Sequence, residues 1–262
     1  MTAAPETAAR LLARRVGAVL VLTISNPAAC NAMHPSLYRT AVEVLRAAAG
    51  DRAVRAIVLT GEGDHFCGGG DVARLARQRA LPPASQAAHL DALHDWVMAM
   101  HEAPQPVIAA VEGAAAGGGF SVCLGCDLIV AAEDARFVMS YVRLALPPDG
   151  GGSDALARAL PPQMALELLL DGDVCDVARL HALGVVNRVV PHGEALATAM
   201  AWARRLADGP FEAQADIKRL VHAARGRPRR AQLDAERDAF VRHLHGEACG
   251  AGLAAFLAGR RG

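Results

Sequence analysis

The stretch from Pro106 to Asp127, PVIAAVEGAAAGGGFSVCLGCD, constrains the fold more than any other. Val107 to Val111 is a short, apolar, partly β-branched run that reads as a buried strand. Gly113 to Gly119 holds four glycines and three alanines, and Phe120 to Cys126 reads as an apolar helical segment. A strand feeding a glycine-rich turn that opens a helix gathers unpaired backbone N–H groups at one point. The helix dipole adds partial positive charge there, and missing side chains let a ligand approach the backbone.

Three readings compete for this turn. A dinucleotide or phosphate loop is disfavoured, because the glycines lack G-x-G-x-x-G spacing and no G-K-[ST] follows. Close packing of a helix on a sheet is the plain structural alternative. The third is an oxyanion hole, which needs a second N–H donor. A second loop supplies a candidate: Val54 to Thr60 reads as a strand running into GEGDHFCGGGD, Gly61 to Asp71, with a helical run from Val72.

FCGGGD resembles the F-[SC]-x-G-x-D segment of the crotonase (enoyl-CoA hydratase/isomerase) superfamily. AVEGAAAGGGFSVCLGCDLIVAAEDARF is similar to that family's second signature, and NPAACNAM to its N-P-x-x-x-N-A-[LM] segment. The resemblance runs from about Val16 to the C-terminus. It implies an α/β fold, a crotonase-like superhelix of ββα units, over residues 1–193. Residues 194–262 would form a C-terminal helical region that packs homotrimers, or hexamers as pairs of trimers.

The resemblance also implies site residues. Gly68 and Gly118 would donate two hydrogen bonds to the carbonyl of an acyl-CoA thioester. Cys30, Asn31 and Ala32, with Phe66 and Gly70, would lie against the CoA moiety, and Lys218 near its phosphates. The segment after the first loop would line the acyl pocket, making Trp96 a pocket candidate. Coenzyme A enters as part of the substrate; no separate cofactor and no metal is implied.

The family's hydratases use two glutamates to activate a water. Here the first position is Ser121 and the second, aligned without a gap, is Tyr141. Proton transfer by a positioned side chain is worth roughly 10²–10⁴-fold, so their absence changes the chemistry. Asp149, in Leu146-Pro147-Pro148-Asp149-Gly150-Gly151, resembles the proton-shuttling Asp of phenylacetate-pathway-type enoyl-CoA isomerases. The same P-D-G sequence is also a strong turn signal in any protein. The expected function is double-bond isomerisation with one Asp shuttle. The alternatives are a hydratase with an atypical set and an idle acyl-CoA binder.

Composition narrows the rest. The 262 residues are 53% hydrophobic with a formal net charge of zero, which gives no footprint for nucleic acid. No apolar run reaches membrane-spanning length, and MTAAPETAAR lacks a secretory pattern. Six scattered cysteines read as reduced, buried thiols in the cytoplasm. Cys123-x-x-Cys126 lacks a second ligand pair, so it reads as small core residues rather than zinc or redox ligands. His89, Asp91, His94 and Asp95 read as a solvated helical face.

Other elements follow from periodicity. Val16 to Ile24 is expected as the first strand, Pro35 to Ala49 as a helix, and Val72 to Met100 as helical with a break at Leu81-Pro82-Pro83. Asp127–Ala132, Ala135–Met139 and Val185–Val190 are expected strands, and Leu144 to Ser153 a loop. Five helices are expected from Met164 onward, ending at Leu244, followed by a last helix around AAFLAGRRG.

Overall fold

A computed structural model describes residues 9–259. The chain runs through β1 (Arg10–Val16), β2 (Val19–Ser25), α1 (Pro35–Gly50), β3 (Ala56–Gly61), α2 (Val72–Gln78), α3 (Pro83–Glu102) and β4 (Val107–Val111). It continues through β5 (Ala114–Ala116), α4 (Gly118–Leu124), β6 (Leu128–Ala132), β7 (Arg136–Val138), α5 (Gly152–Ala159), α6 (Pro162–Asp171) and β8 (Val174–Asp176). Last come α7 (Val177–Ala182), β9 (Arg188–Val190), α8 (Ala195–Ala207), α9 (Phe211–Ala224), α10 (Arg229–Leu244) and α11 (Glu247–Gly259). The reading of the first residues falls largely outside the described residues, as does the terminal Arg260.

Two sheets carry the site. The larger has the order β1-β2-β3-β4-β6-β9, the smaller β5-β7-β8. β1 and β2 form an antiparallel hairpin, and all other neighbours in the large sheet are parallel. β4 is apolar throughout and β3 as far as Leu59, because helices cover both their faces. Leu22, Ile57, Leu59 and Ala109 meet the faces of α1 and α3 that carry Leu37, Leu45, Trp96 and Met100. Val21, Val58, Ile108 and Ala110 point the other way, onto Ala199 and Ala203 of α8. Each set follows the period of two expected of a strand.

α8 begins beyond residue 193 yet closes the second face of the sheet, whereas α9, α10 and α11 pack chiefly on their neighbours in sequence. Among the described residues, no helix is long and apolar enough to cross a membrane.

Three local expectations differ from the structure. The run expected as a single first strand from Val16 belongs to β2, and β1 precedes it across the positive-φ Gly17. β1 went unread because RLLARRV buries only Leu11, leaving charged residues on a mostly solvated edge. β5 and β8 are three-residue strands, too short to show a period, and α5 starts at Gly152 inside the expected loop.

Candidate active site

Three loops converge beyond the carboxyl ends of β2, β3 and β4, where open parallel sheets place ligands. Backbone hydrogen bonds stitch them together. Cys67 N donates to Ala114 O and Ala116 N to Cys67 O, both at 2.9 Å. Met33 N donates to Gly69 O at 2.7 Å, and Asp71 N to Met33 O at 3.4 Å. The approach is so close that a Cβ on Gly119 would sit 2.3 Å from Cys67 O. One on Gly69, whose φ is +97°, would sit 2.7 Å from Ala116 O. The glycines are there because the loops touch through their backbones.

This stitching overturns one expected donor. The Gly68 amide donates to Cys30 O at 2.7 Å, so it is already spent inside the protein. The bonds to Met33 use Gly69 O and Asp71 N, and the Gly70 amide takes no part in that ladder. Gly69 carries this part of the loop against Gly118: a Cβ on it would lie 3.4 Å from Gly118 N. Gly118 opens α4, so its amide is among those a helix leaves without an internal partner. With the Gly68 amide consumed, the candidate pair of amides flanking this contact is Gly70 and Gly118, in place of Gly68 and Gly118.

The side chains over this spot are the ones singled out in sequence. A Cβ on Gly118 would meet Met33 Cε at 3.3 Å, and Asp149 Oδ1 and Tyr141 Oη both at 3.8 Å. The Tyr141 hydroxyl donates to Asp149 Oδ1 at 2.6 Å and lies 3.0 Å from Ser121 Oγ. Burial, then the Asp149 carboxylate, holds the Tyr141 phenol far above its ordinary pKa, so it stays protonated and donates. Asp149 is brought there by Gly150 and Gly151, at φ +57° and +80°, which turn the chain onto Leu93 and Val97 of α3. Ser121 and Tyr141, occupying the two expected glutamate positions, thus form one hydrogen-bonded chain with the remaining carboxylate.

Several expected CoA contacts prove structural. Asn31 is fully buried: its Oδ1 accepts from Asn26 N at 2.9 Å, and its Nδ2 donates to Glu62 O at 2.9 Å and His65 O at 2.6 Å. Phe66 is fully buried and its ring lies in the core. Lys218 Nζ donates to Met100 O at 2.7 Å and Gln105 O at 3.0 Å, and pairs with Asp127 at 2.8 Å. With its side chain only 9% exposed, it has no reach toward a phosphate. It ties α9 to the end of α3 and the start of β6. Cys30, Ala32 and Gly70 retain accessible surface at the mouth of the loops. Trp96 is fully buried and stacks on Tyr38 with ring centroids 6.0 Å apart, so it presents no exposed surface.

Other groups fall outside the site. Glu112 accepts from Ala195 N at 2.8 Å and Gly193 N at 3.1 Å, capping α8. Cys67 is fully buried, and burial pushes its thiol up to about 12, which leaves it no nucleophile. Cys123 and Cys126 are buried and likewise raised by burial. Sequence reasoning passed over two neighbours of the site, Tyr38 and Arg74. Tyr38 looks like one more apolar position on α1, and Arg74 like a surface residue of a short helix, so no local signal marks either.

Residues 14–261 match the family model described as enoyl-CoA hydratase/isomerase. The 1,2-epoxyphenylacetyl-CoA isomerase of Escherichia coli (strain K12) is 33% identical over 249 residues, covering 92% of this chain and 93% of that protein. The 2,3-dehydroadipyl-CoA hydratase of the same organism is 32% identical over 249 residues, covering 94% and 95%. A crystal structure of an enoyl-CoA hydratase from Polaromonas sp. JS666 superposes with a TM-score of 0.93 at 46% identity, covering 95% of this chain and 97% of that one.

Proposed function

Because this chain belongs to the enoyl-CoA hydratase/isomerase family, an enzyme family of the crotonase superfamily, we propose that it moves the double bond of an enoyl-CoA thioester with Asp149 as the single proton shuttle. The thioester oxygen sits between the Gly70 and Gly118 amides. These donors strengthen their bonds as the oxygen gains negative charge, which lowers the barrier to the enolate. Asp149 Oδ removes a proton from the carbon beside the thioester carbonyl. The electron pair delocalises onto the thioester oxygen and through the adjacent double bond. Asp149, now carrying the proton, returns it two carbons along, and the double bond shifts with no net gain or loss of atoms.

The observation that carries this reading is the Asp149 carboxylate at the Gly118 end of the oxyanion loops, held by the Tyr141 hydroxyl. A hydratase reading draws on the names of relatives, which include both isomerases and hydratases. It has to place a water without the glutamate pair, since Ser121 and Tyr141 stand there. Coenzyme A is part of the substrate in both readings. The exposed apolar faces of α9, α10 and α11 support assembly as a homotrimer or a pair of trimers. The free cysteines among the described residues, most of them buried, fit a reducing cytoplasm.

The deciding experiment follows solvent deuterium into a 3-enoyl-CoA, and product mass, for wild type beside Asp149→Asn. Isomerisation leaves product mass unchanged in ordinary water, and Asp149→Asn lowers both exchange and turnover by roughly 10²–10⁴-fold. Equal exchange in the two proteins, or a product heavier by one water, overturns the reading.

A further inference from the structure

Arg74 is the buried residue of α2, and only 7% of it is exposed. Its backbone is fixed, because Asp71 caps α2 by accepting the Arg74 amide at 3.0 Å. Its guanidinium is without a carboxylate within ion-pair distance among the described residues. Nη1 lies 3.1 Å from His89 Nδ1 and 3.5 Å from Gln86 Oε1, and Nε is buried with no partner. Burial and the adjacent guanidinium hold His89 below its ordinary pKa, so it stays neutral and offers no counter-charge. A buried cation of this kind is unfavourable unless an anion reaches it. Arginine's planar fork suits a carboxylate better than any other side chain.

The position of Arg74 relates it to the acyl end of the site. α2 starts directly after the loop that carries Gly70. Leu75 packs 4.0 Å from the place a Gly70 side chain would take. Tyr38 is a buried residue on which both charges act. It is 4% exposed, stacks on Trp96, and its phenol is raised first by burial and then by Asp149, while Arg74 pulls the other way. The Asp149 carboxylate and the Arg74 guanidinium therefore both act on this one hydroxyl.

We infer that Arg74 is a receptor for an anionic group at the far end of the acyl chain, so that the preferred substrates are CoA thioesters of dicarboxylic acids. This rests on the acyl-CoA reading above and specifies its substrate class. The thioester is fixed at Gly70 and Gly118, the reacting carbons pass Asp149, and the distal carboxylate meets the Arg74 fork beside Tyr38. Plain alkyl chains leave the guanidinium buried and unpaired, which a site built for a polar group penalises.

Equilibrium binding of saturated, unreactive esters tests this without chemistry. Succinyl-, adipyl- and suberyl-CoA are titrated against butyryl-, hexanoyl- and octanoyl-CoA, on wild type, Arg74→Met and Arg74→Lys, each checked for folding by circular dichroism. At least one dicarboxylic ester should bind wild type roughly 10–100-fold tighter than its alkyl counterpart, the range of a hydrogen bond to a charged group. Arg74→Met should abolish that preference, and Arg74→Lys should keep part of it. The same preference in Asp149→Asn separates this inference from the fate of the shuttle. If no CoA ester binds, the acyl-CoA reading itself fails. If all bind but wild type treats each pair equally, the inference fails whatever the variants do. It fails too if Arg74→Met weakens both members of a pair alike, since Arg74 then serves the CoA moiety or the fold.

Discussion

The Tyr141 hydroxyl donates to Asp149 Oδ1 at 2.6 Å, and this bond joins the two residues that the family pattern treats separately. One stands where a hydratase glutamate is expected and the other on the following P-D-G-G turn. The bond orients the carboxylate toward the Gly118 turn. Tyr141→Phe keeps the ring and its packing but leaves Asp149 without its donor. A hydrogen bond to a charged group is worth about 1.5–3 kcal/mol, so isomerase turnover should fall about 10- to 100-fold. Affinity for a saturated CoA ester should hold, because the loops are untouched. Stopped-flow turnover beside calorimetric binding checks both; full turnover in Tyr141→Phe would remove Tyr141 from the mechanism.

The fold was legible where strands are apolar on both faces and helices carry a clear stripe. β3, β4 and β6 lie close to where their β-branched runs put them, and α1 ends at Gly50, one residue past its expected end. The site was legible as a set of loops, because glycine clusters announce backbone contact. Which glycine does what was not. Gly68 and Gly70 are alike in sequence, and only the register against Cys30 and Met33 shows that the Gly68 amide is consumed. Lys218 and Asn31 misled for a related reason. A long cation or an amide near a motif reads as a ligand group until its acceptors are known, and here the acceptors are backbone carbonyls of distant elements. Arg74 escaped notice because burial of one residue on a seven-residue helix has no local signature.

Gly118→Pro tests the oxyanion donor proposed at Gly118. Gly118 is the first residue of α4, a position where proline fits and where the lost N–H breaks no helical bond. The nearest neighbour of an added Cβ there is the end of the flexible Met33 side chain. The substitution should lower kcat/KM by about 2.7–4 kcal/mol of transition-state stabilisation, the scale of one oxyanion donor. Steady-state kinetics on a protein with an unchanged circular dichroism spectrum measures it. Wild-type kcat/KM in the folded variant would show that the thioester oxygen lies elsewhere.

Lys218 is predicted to serve stability and not CoA. Lys218→Met leaves Asp127 buried without its closest cation, although His222 Nε2 remains 2.9 Å away. Breaking a buried pair by removing one partner is destabilising by about 3–5 kcal/mol, an upper figure here because His222 shares the carboxylate. Urea denaturation should show that loss, while the Kd for a CoA ester, measured below the transition, stays put. A selective drop in affinity with stability intact would restore Lys218 to the CoA site.

The C-terminal helices present an apolar surface with a fixed shape. Asp216 accepts from Arg219 on α9 and from Arg242 and His243 on α10, which locks those two helices together. Outside this lock stand Ile217 at 60% exposure, Val221 at 66%, Phe240 at 68%, Phe256 at 58% and Leu257 at 56%. Single exposed apolar residues are ordinary, but a cluster on three neighbouring helices marks an interface. Stable protein interfaces bury about 800 Å² per partner, and large apolar side chains at their centres carry most of the energy. The chain should therefore sediment at micromolar concentration as a homotrimer or a pair of trimers. Phe240→Glu and Phe256→Glu together should shift it toward monomer, because each places a carboxylate where a partner's apolar surface would have to desolvate it. Helix content should remain, since both rings lie outside the core. Sedimentation velocity on the two proteins decides the matter: a wild-type monomer, or a double variant that assembles as wild type does, would place the interface on another face of the molecule.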